Sequence, residues 1–135
     1  MSCNLEGKTI FITGSGGILG STYIKFMLKS GAKVIATDLK GSRAENLKEN
    51  FGENKNFKFY DLDVSKENEV LNIFVKLEKD HIKPNVILNN AAITGELLMG
   101  KDKEFPDFSE TSIEEWENTL RVNLTGAFLI ARQMD

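Results

Sequence analysis

One junction constrains this chain more than any other: Thr13-Gly14-Ser15-Gly16-Gly17-Ile18-Leu19-Gly20, set between a strand-like run and a helical pattern. Lys8-Thr9-Ile10-Phe11-Ile12-Thr13 precedes it, short and rich in β-branched and aromatic residues, as a buried strand requires. After it, Leu19, Tyr23, Met27 and Ser30 recur at helical spacing beside Ile24 and Leu28, and Gly31 supplies a stop. Glycines at such a junction let the backbone turn tightly and come close to a ligand. The helix that starts there presents unbonded N–H groups and the positive end of its dipole. The junction therefore reads as an anion pocket suited to the pyrophosphate of a dinucleotide. The plainer alternative is a strand-to-helix turn with no ligand.

Strand and helix patterns alternate from there on. Lys33-Val34-Ile35-Ala36-Thr37-Asp38 reads as a second strand, and Ser42 with Glu45 as a capping box that opens a helix through Leu47 and Phe51 to Gly52. Phe57-Lys58-Phe59-Tyr60 is a third strand ending near Asp61. Ser65 is expected to cap a helix with the stripe Val70, Ile73, Phe74 and Leu77. His81, before Lys83-Pro84, is expected to close that helix rather than to carry chemistry. Asn85-Val86-Ile87-Leu88-Asn89 is a fourth strand. The polar stretch from Thr94 to about Glu110 has no clear period and is expected to wall one side of a pocket. Ser112 and Glu115 form a further capping box, with Trp116, Leu120, Leu124, Ala127 and Phe128 as the expected inner face of the last helix.

Such alternation with short connections predicts an α/β, doubly wound parallel sheet with right-handed crossovers, here a half with strand order 3-2-1-4. The first two helices are expected on one face and the last two on the other. The order reverses between strands one and four, so a ligand crevice is expected beyond their carboxyl ends. No repeat, low-complexity tract or linker divides residues 1–135, so a single domain is expected.

Composition excludes several classes. The net charge of -3 offers no basic footprint for nucleic acid and no pull toward anionic lipid. No apolar run approaches the roughly 20 residues that cross a bilayer. A lone Cys3 allows no internal disulfide and, with a single His81, makes zinc a poor expectation. The start, Met1-Ser2-Cys3-Asn4-Leu5-Glu6-Gly7, has no secretory pattern, and a cytoplasmic location is the expectation.

Three further positions carry chemistry. Asp38 ends the second strand about 20 residues beyond the glycine turn, where a carboxylate can accept from the adenosine ribose hydroxyls. It would repel a 2′-phosphate, which favours NAD over NADP, although Lys40 and Arg43 lie close enough to serve one. Asp63 and Val64 follow the third strand, suited to an adenine amino group and to the ring face. A first-turn carboxylate is the alternative for Asp63. Asn89-Asn90-Ala91-Ala92 places two amides and two small residues at a strand end, so that a cofactor can lie against the backbone while the amides tie strands together.

Taken in order, Thr13-Gly14-x-x-Gly17-x-x-Gly20, Asp38, Asp63-Val64, Asn89-Asn90-Ala91-Ala92 and Val122-Asn123 resemble the short-chain dehydrogenase/reductase family over essentially the whole chain. The resemblance implies a Rossmann fold, an NAD(H) cofactor, hydride transfer with a carbonyl or alcohol substrate, and a homo-oligomer in the intact protein. It implies cofactor contacts from Thr13, Gly14, Ser15, Gly16, Gly17, Ile18, Gly20, Asp38, Asp63, Val64, Asn90, Ala91 and Ala92, and a catalytic role for Asn123 in supporting a proton relay.

The chain departs from the family pattern in three places. The commonest glycine motif needs glycine at position 18, where Ile18 stands; this spacing looks like that of the extended branch, which handles sugar nucleotides. Asn-Asn-Ala-Gly is here Asn-Asn-Ala-Ala. The catalytic Ser and Tyr-x-x-x-Lys of the family have no counterpart before Asp135, and neither Tyr23 nor Tyr60 has Lys four residues later. The chain is thus expected to be the amino-terminal half of an NAD-dependent oxidoreductase, inactive alone. The other readings are an NAD-dependent sugar-nucleotide epimerase or dehydratase, and a non-catalytic nucleotide-binding fragment.

Overall fold

Each strand is a short apolar run bounded by a turn, and all pair in parallel in the order β3-β2-β1-β4. The computed structural model describes residues 3–94 and 107–134. In chain order the elements are β1 (Thr9–Ile12), α1 (Ile18–Lys29), β2 (Lys33–Asp38), α2 (Ser42–Phe51), β3 (Phe57–Asp61), α3 (Glu67–Lys79) and β4 (Val86–Leu88). A 3-10 turn (Phe108–Glu110), α4 (Ile113–Leu120), a π-helical stretch (Arg121–Gly126) and α5 (Ala127–Ala131) follow. The expected strand order and alternation are present. Residues 95–106, the bulk of the expected pocket wall, lie outside the described residues.

The strands are apolar on both faces because helices cover both. Ile10, Ile12, Val34, Ala36 and Phe57 pack with Ile24 and Met27 of α1 and Leu47 of α2. On the other face Phe11, Ile35, Leu62 and Val64 pack with Val70 and Leu77 of α3 and with Leu129 and Ile130 of α5. Phe11 also meets the Phe74 ring at 4.9 Å between centroids. Burying this much apolar surface, at roughly 25 cal/mol per Å², is the main force that holds the helices to the sheet.

Four local expectations are corrected. The buried face of α1 is Gly20, Ile24 and Met27, while Leu19 and Tyr23 are exposed. The reason lies at Gly20, where a Cβ would sit 2.5 Å from the Gly14 carbonyl oxygen; the helix can descend on the turn only along that residue. Ser42 is the first residue of α2 rather than its cap, and no side-chain capping bond forms there. Ser65 does not cap α3, which starts at Glu67; its hydroxyl and its N–H donate to Asp63 Oδ1 instead, at 2.7 and 3.0 Å.

The last correction is the largest. The capping box of Ser112 and Glu115 forms, yet Trp116, Leu124 and Phe128 face outward, with exposures of 52%, 64% and 58%. Gly126, Leu129 and Ile130 are the buried residues. Gly126 seats the helix on Val64, whose Cγ2 would lie 2.8 Å from any Cβ placed there. The π stretch through Arg121–Gly126 also breaks the regular 3.6-residue period, so a stripe counted from Trp116 does not end on the core.

The ends of α1 and α3 close alike. Gly31 and His81 take positive φ (92° and 54°), and the residue after each donates back to the helix: Ala32 N–H to Met27 O, and Ile82 N–H to Leu77 O. His81 closes its helix through its backbone.

Candidate functional site

The crevice lies where the strand order reverses, beyond the carboxyl ends of β1 and β4. Thr13 is the first residue past β1, and its buried hydroxyl accepts from the Asn90 and Ala91 N–H groups at 3.1 and 3.0 Å. The Asn90 amide donates in return to the Thr13 and Gly14 carbonyls, at 3.1 and 2.8 Å. Gly14 has φ +61°, and a Cβ on it would sit 2.6 Å from Ala91 Cα. Only glycine meets both demands at once, the left-handed backbone and the direct approach of a second chain segment. From the other side Ser15 N–H donates to Thr37 O at 3.1 Å, and Gly16 N–H donates to Asp38 Oδ2 at 2.6 Å. The glycine turn is thus moored to β4 by an asparagine and to β2 by an aspartate.

The start of α1, by contrast, is open. Gly17 is the N-cap of α1 and no side chain caps it. The first N–H groups of a helix have no partner within it, so those of Ile18, Leu19 and Gly20 lack one in α1. A Cβ on Gly17 would meet nothing closer than Gly14 O at 3.4 Å. The protein itself therefore does not need a glycine there; the space is left to the cleft. Ile18 is 89% exposed on the same turn.

The cleft measures about 740 Å³. The turn forms its floor, Asp38, Leu39, Leu62, Asp63 and Val64 one wall, and Asn90 to Thr94 with Val122 the other. Burial alone would raise the Asp63 carboxyl, but the Ser65 hydroxyl and N–H and the Lys66 ammonium outweigh it and hold the group below the ordinary carboxylate range. Asp63 thus remains an ionised acceptor. Its N–H donates to Glu69 at 3.0 Å, which fixes the loop that carries it.

Of the residues expected at the site, Gly14, Gly16, Gly17, Ile18, Gly20, Asp38, Asp63, Val64, Asn90, Ala91 and Ala92 line this cleft. Thr13 and Ser15 do not; both are buried beneath the turn and hold its shape through Asn90, Ala91 and Thr37. Asn123 does not line this cleft; its side chain accepts from Ile93 N–H at 2.8 Å and donates to Ile93 O at 2.9 Å. Asn89 ties its strand to a helix, donating to Ala127 O at 3.2 Å. Val122 of the Val122-Asn123 pair also lines the cleft, as do Leu39, Leu62 and Ile93, which no motif in the sequence marks. Leu39 was the most accessible of these to sequence reasoning, since the residue after a strand-ending acceptor shares its rim.

A parallel sheet with a glycine-lined crevice at its switch point defines a Rossmann-type nucleotide fold. The chain matches the short chain dehydrogenase family over residues 8–134 and belongs to it. It is 30% identical over 128 residues to (21S)-21-acetoxyl-apo-melianone synthase of Melia azedarach, a match spanning 95% of this chain and 44% of the relative. It is 29% identical to the 3-oxoacyl-[acyl-carrier-protein] reductase FabG of Thermotoga maritima, over 96% of this chain and 50% of that one. Among solved structures, a short chain dehydrogenase from Leptospira borgpetersenii with bound NAD+ superposes with a TM-score of 0.78 at 25% identity, covering 96% of this chain and 45% of that one. The chain spans about half the length of the relatives it matches.

Proposed function

We propose that this chain is the NAD(H)-gripping domain of an oxidoreductase that acts on a small carbonyl or alcohol substrate. The observation that carries the reading is the turn after β1, where Gly14 is filled by Ala91 while Gly17 and the first N–H groups of α1 are left open to the cleft. That arrangement suits an anion bridged between two nucleosides. The Leptospira relative with NAD+ supports the choice of ligand. When bound, the nicotinamide ring supplies the hydride carrier; the residues here supply binding and orientation. Gly17, Ile18, Leu19 and Gly20 hold the pyrophosphate, Asp38 accepts from the adenosine ribose, Asp63 from the adenine amino group, and Val64 covers the ring.

Asn123 contributes position. Its amide is spent on Ile93, stitching the helix to the wall of the cleft. It stands in the π-helical stretch Arg121–Gly126. Tyr60 does not line the cleft, and its phenol is pushed up by burial and by Asp80. The family resemblance assigns the acid–base role to the Ser and Tyr-x-x-x-Lys of the intact protein. We also propose self-association through the outward face of Trp116, Leu124 and Phe128, and a reducing, cytoplasmic setting for the exposed thiol of Cys3.

Titration by cofactor fluorescence tests the reading. NADH is expected to bind at least tenfold tighter than NADPH, about 1.4 kcal/mol, because a 2′-phosphate would face the Asp38 carboxylate. Equal affinities would mean that Arg43, which lines the same cleft, governs the pocket instead.

A further inference from the structure

The Asp38 carboxylate is already engaged within the protein. Gly16 N–H donates to its Oδ2 at 2.6 Å, and Leu39 N–H donates to its Oδ1 at 2.7 Å. The second bond is local, but the first joins the glycine turn to the end of β2, beside the Ser15 N–H bond to Thr37 O. Gly16 is hemmed in at the same point. A Cβ on it would sit 2.7 Å from Arg43 Cβ and 3.1 Å from Asp38 Oδ2. Arg43 Cβ belongs to the first turn of α2 and cannot swing aside as a side-chain tip can. Yet the spacing Gly14-x-x-Gly17-x-x-Gly20 places no demand on residue 16. The packing against Asp38 and Arg43 is what keeps it bare.

We infer that Asp38 is a positioning residue for the glycine turn as well as a ribose acceptor, with Gly16 as the point it holds. This rests on the dinucleotide reading above and adds a second role to one of its residues. A carboxylate that accepts from a backbone N–H makes a stronger bond than a neutral acceptor, so it can fix the turn in the shape the pyrophosphate needs. A consequence concerns cofactor choice. Replacing Asp38 to admit a 2′-phosphate also frees the turn, so NADH affinity is lost without a matching gain for NADPH.

Two substitutions separate the roles. Asp38→Asn removes the charge but keeps a carbonyl oxygen that reaches Gly16 N–H; Asp38→Ala removes both. The probe is 2′,3′-dideoxy-ADP, which carries a pyrophosphate but no ribose hydroxyl for residue 38 to accept from. Both variants lose the same charge, so the difference between them reports the latch. Asp38→Ala is expected to bind this probe about fivefold more weakly than Asp38→Asn, the net effect of about one hydrogen bond. Amide exchange at Gly16 should quicken about tenfold in Asp38→Ala and less than about threefold in Asp38→Asn, with Phe11 and Val34 unchanged as controls for the fold. Equal probe affinities in the two variants, or an unaltered Gly16 exchange rate, overturn the inference. Failure of the unsubstituted protein to bind NADH or ADP sinks the dinucleotide reading instead, while the exchange measurement still decides the latch.

Discussion

Between Thr13 and Gly16, neighbouring residues claim backbone polar groups and the spaces where side chains are absent; along Ile113–Ala131, three of the largest apolar side chains face away from the protein. Asn90, just past β4, and Thr37 and Asp38, at the end of β2, reach into the turn. The helical arm touches the sheet through a narrower line, chiefly Gly126, Leu129 and Ile130, and leaves Trp116, Leu124 and Phe128 exposed. Both regions flank the same cleft. The difference shows that precision is concentrated where two backbone segments meet at the floor of the cleft. The outer helix face is free to vary until something covers it.

Substitutions can break or sharpen that contrast. The largest effect is expected from Gly14→Val, which forces a β-branched residue into φ +61° and against Ala91 Cα. A loss of at least about 3 kcal/mol in urea unfolding is expected, combining backbone strain with overpacking. A loss below about 1 kcal/mol would mean that the turn relaxes easily and is not a rigid element.

Gly17→Val, three residues on, should behave in the opposite way. Its Cβ makes no closer contact than Gly14 O at 3.4 Å, so stability should fall only by about 1 kcal/mol, the scale of a poor N-cap. NADH binding should fall by at least about a hundredfold, or about 2.7 kcal/mol. Circular dichroism and fluorescence titration together check this, and retained binding would reduce the turn to a plain connection.

Thr13→Val is expected to be intermediate. It keeps the shape but removes the acceptor shared by Asn90 and Ala91 N–H, two groups on the segment that walls the cleft. Leaving such groups without a partner costs about 1–3 kcal/mol, measured as a shift in the urea midpoint. The smallest effect belongs to Leu124→Ser on the outer helix face. Its effect on unfolding of the dilute chain should stay within about 0.5 kcal/mol, as for other exposed positions. A larger loss would show that the face is already covered in solution and would sharpen the case for self-association.

Much of the fold was legible in the sequence, because it depends on chain-local signals. Short apolar runs separated by Gly31, Gly52 and Pro84 can be counted without knowing what they touch, and parallel pairing follows from their alternation with helices. The cleft was legible to the same degree, since Gly14, Asp38, Asp63 and Asn90 each mark the end of a strand, and strand ends meet at the switch point. Capping was only partly readable. Ser112 with Glu115 forms its box, whereas Ser65 prefers Asp63, a bond that the loop geometry decides.

Rotation and allegiance were decided by the tertiary structure alone. Periodicity names an apolar stripe on a helix but not the single point at which the helix may approach. In α1 that point is Gly20 against Gly14, and in the last helix it is Gly126 against Val64, each set by the absence of one Cβ. The sequence likewise marked Asp38 as an acceptor, but not that Gly16 N–H would claim one of its oxygens. A side chain's chemistry is written in its own residue, while its partner depends on which distant backbone the packing brings within about 3 Å of it.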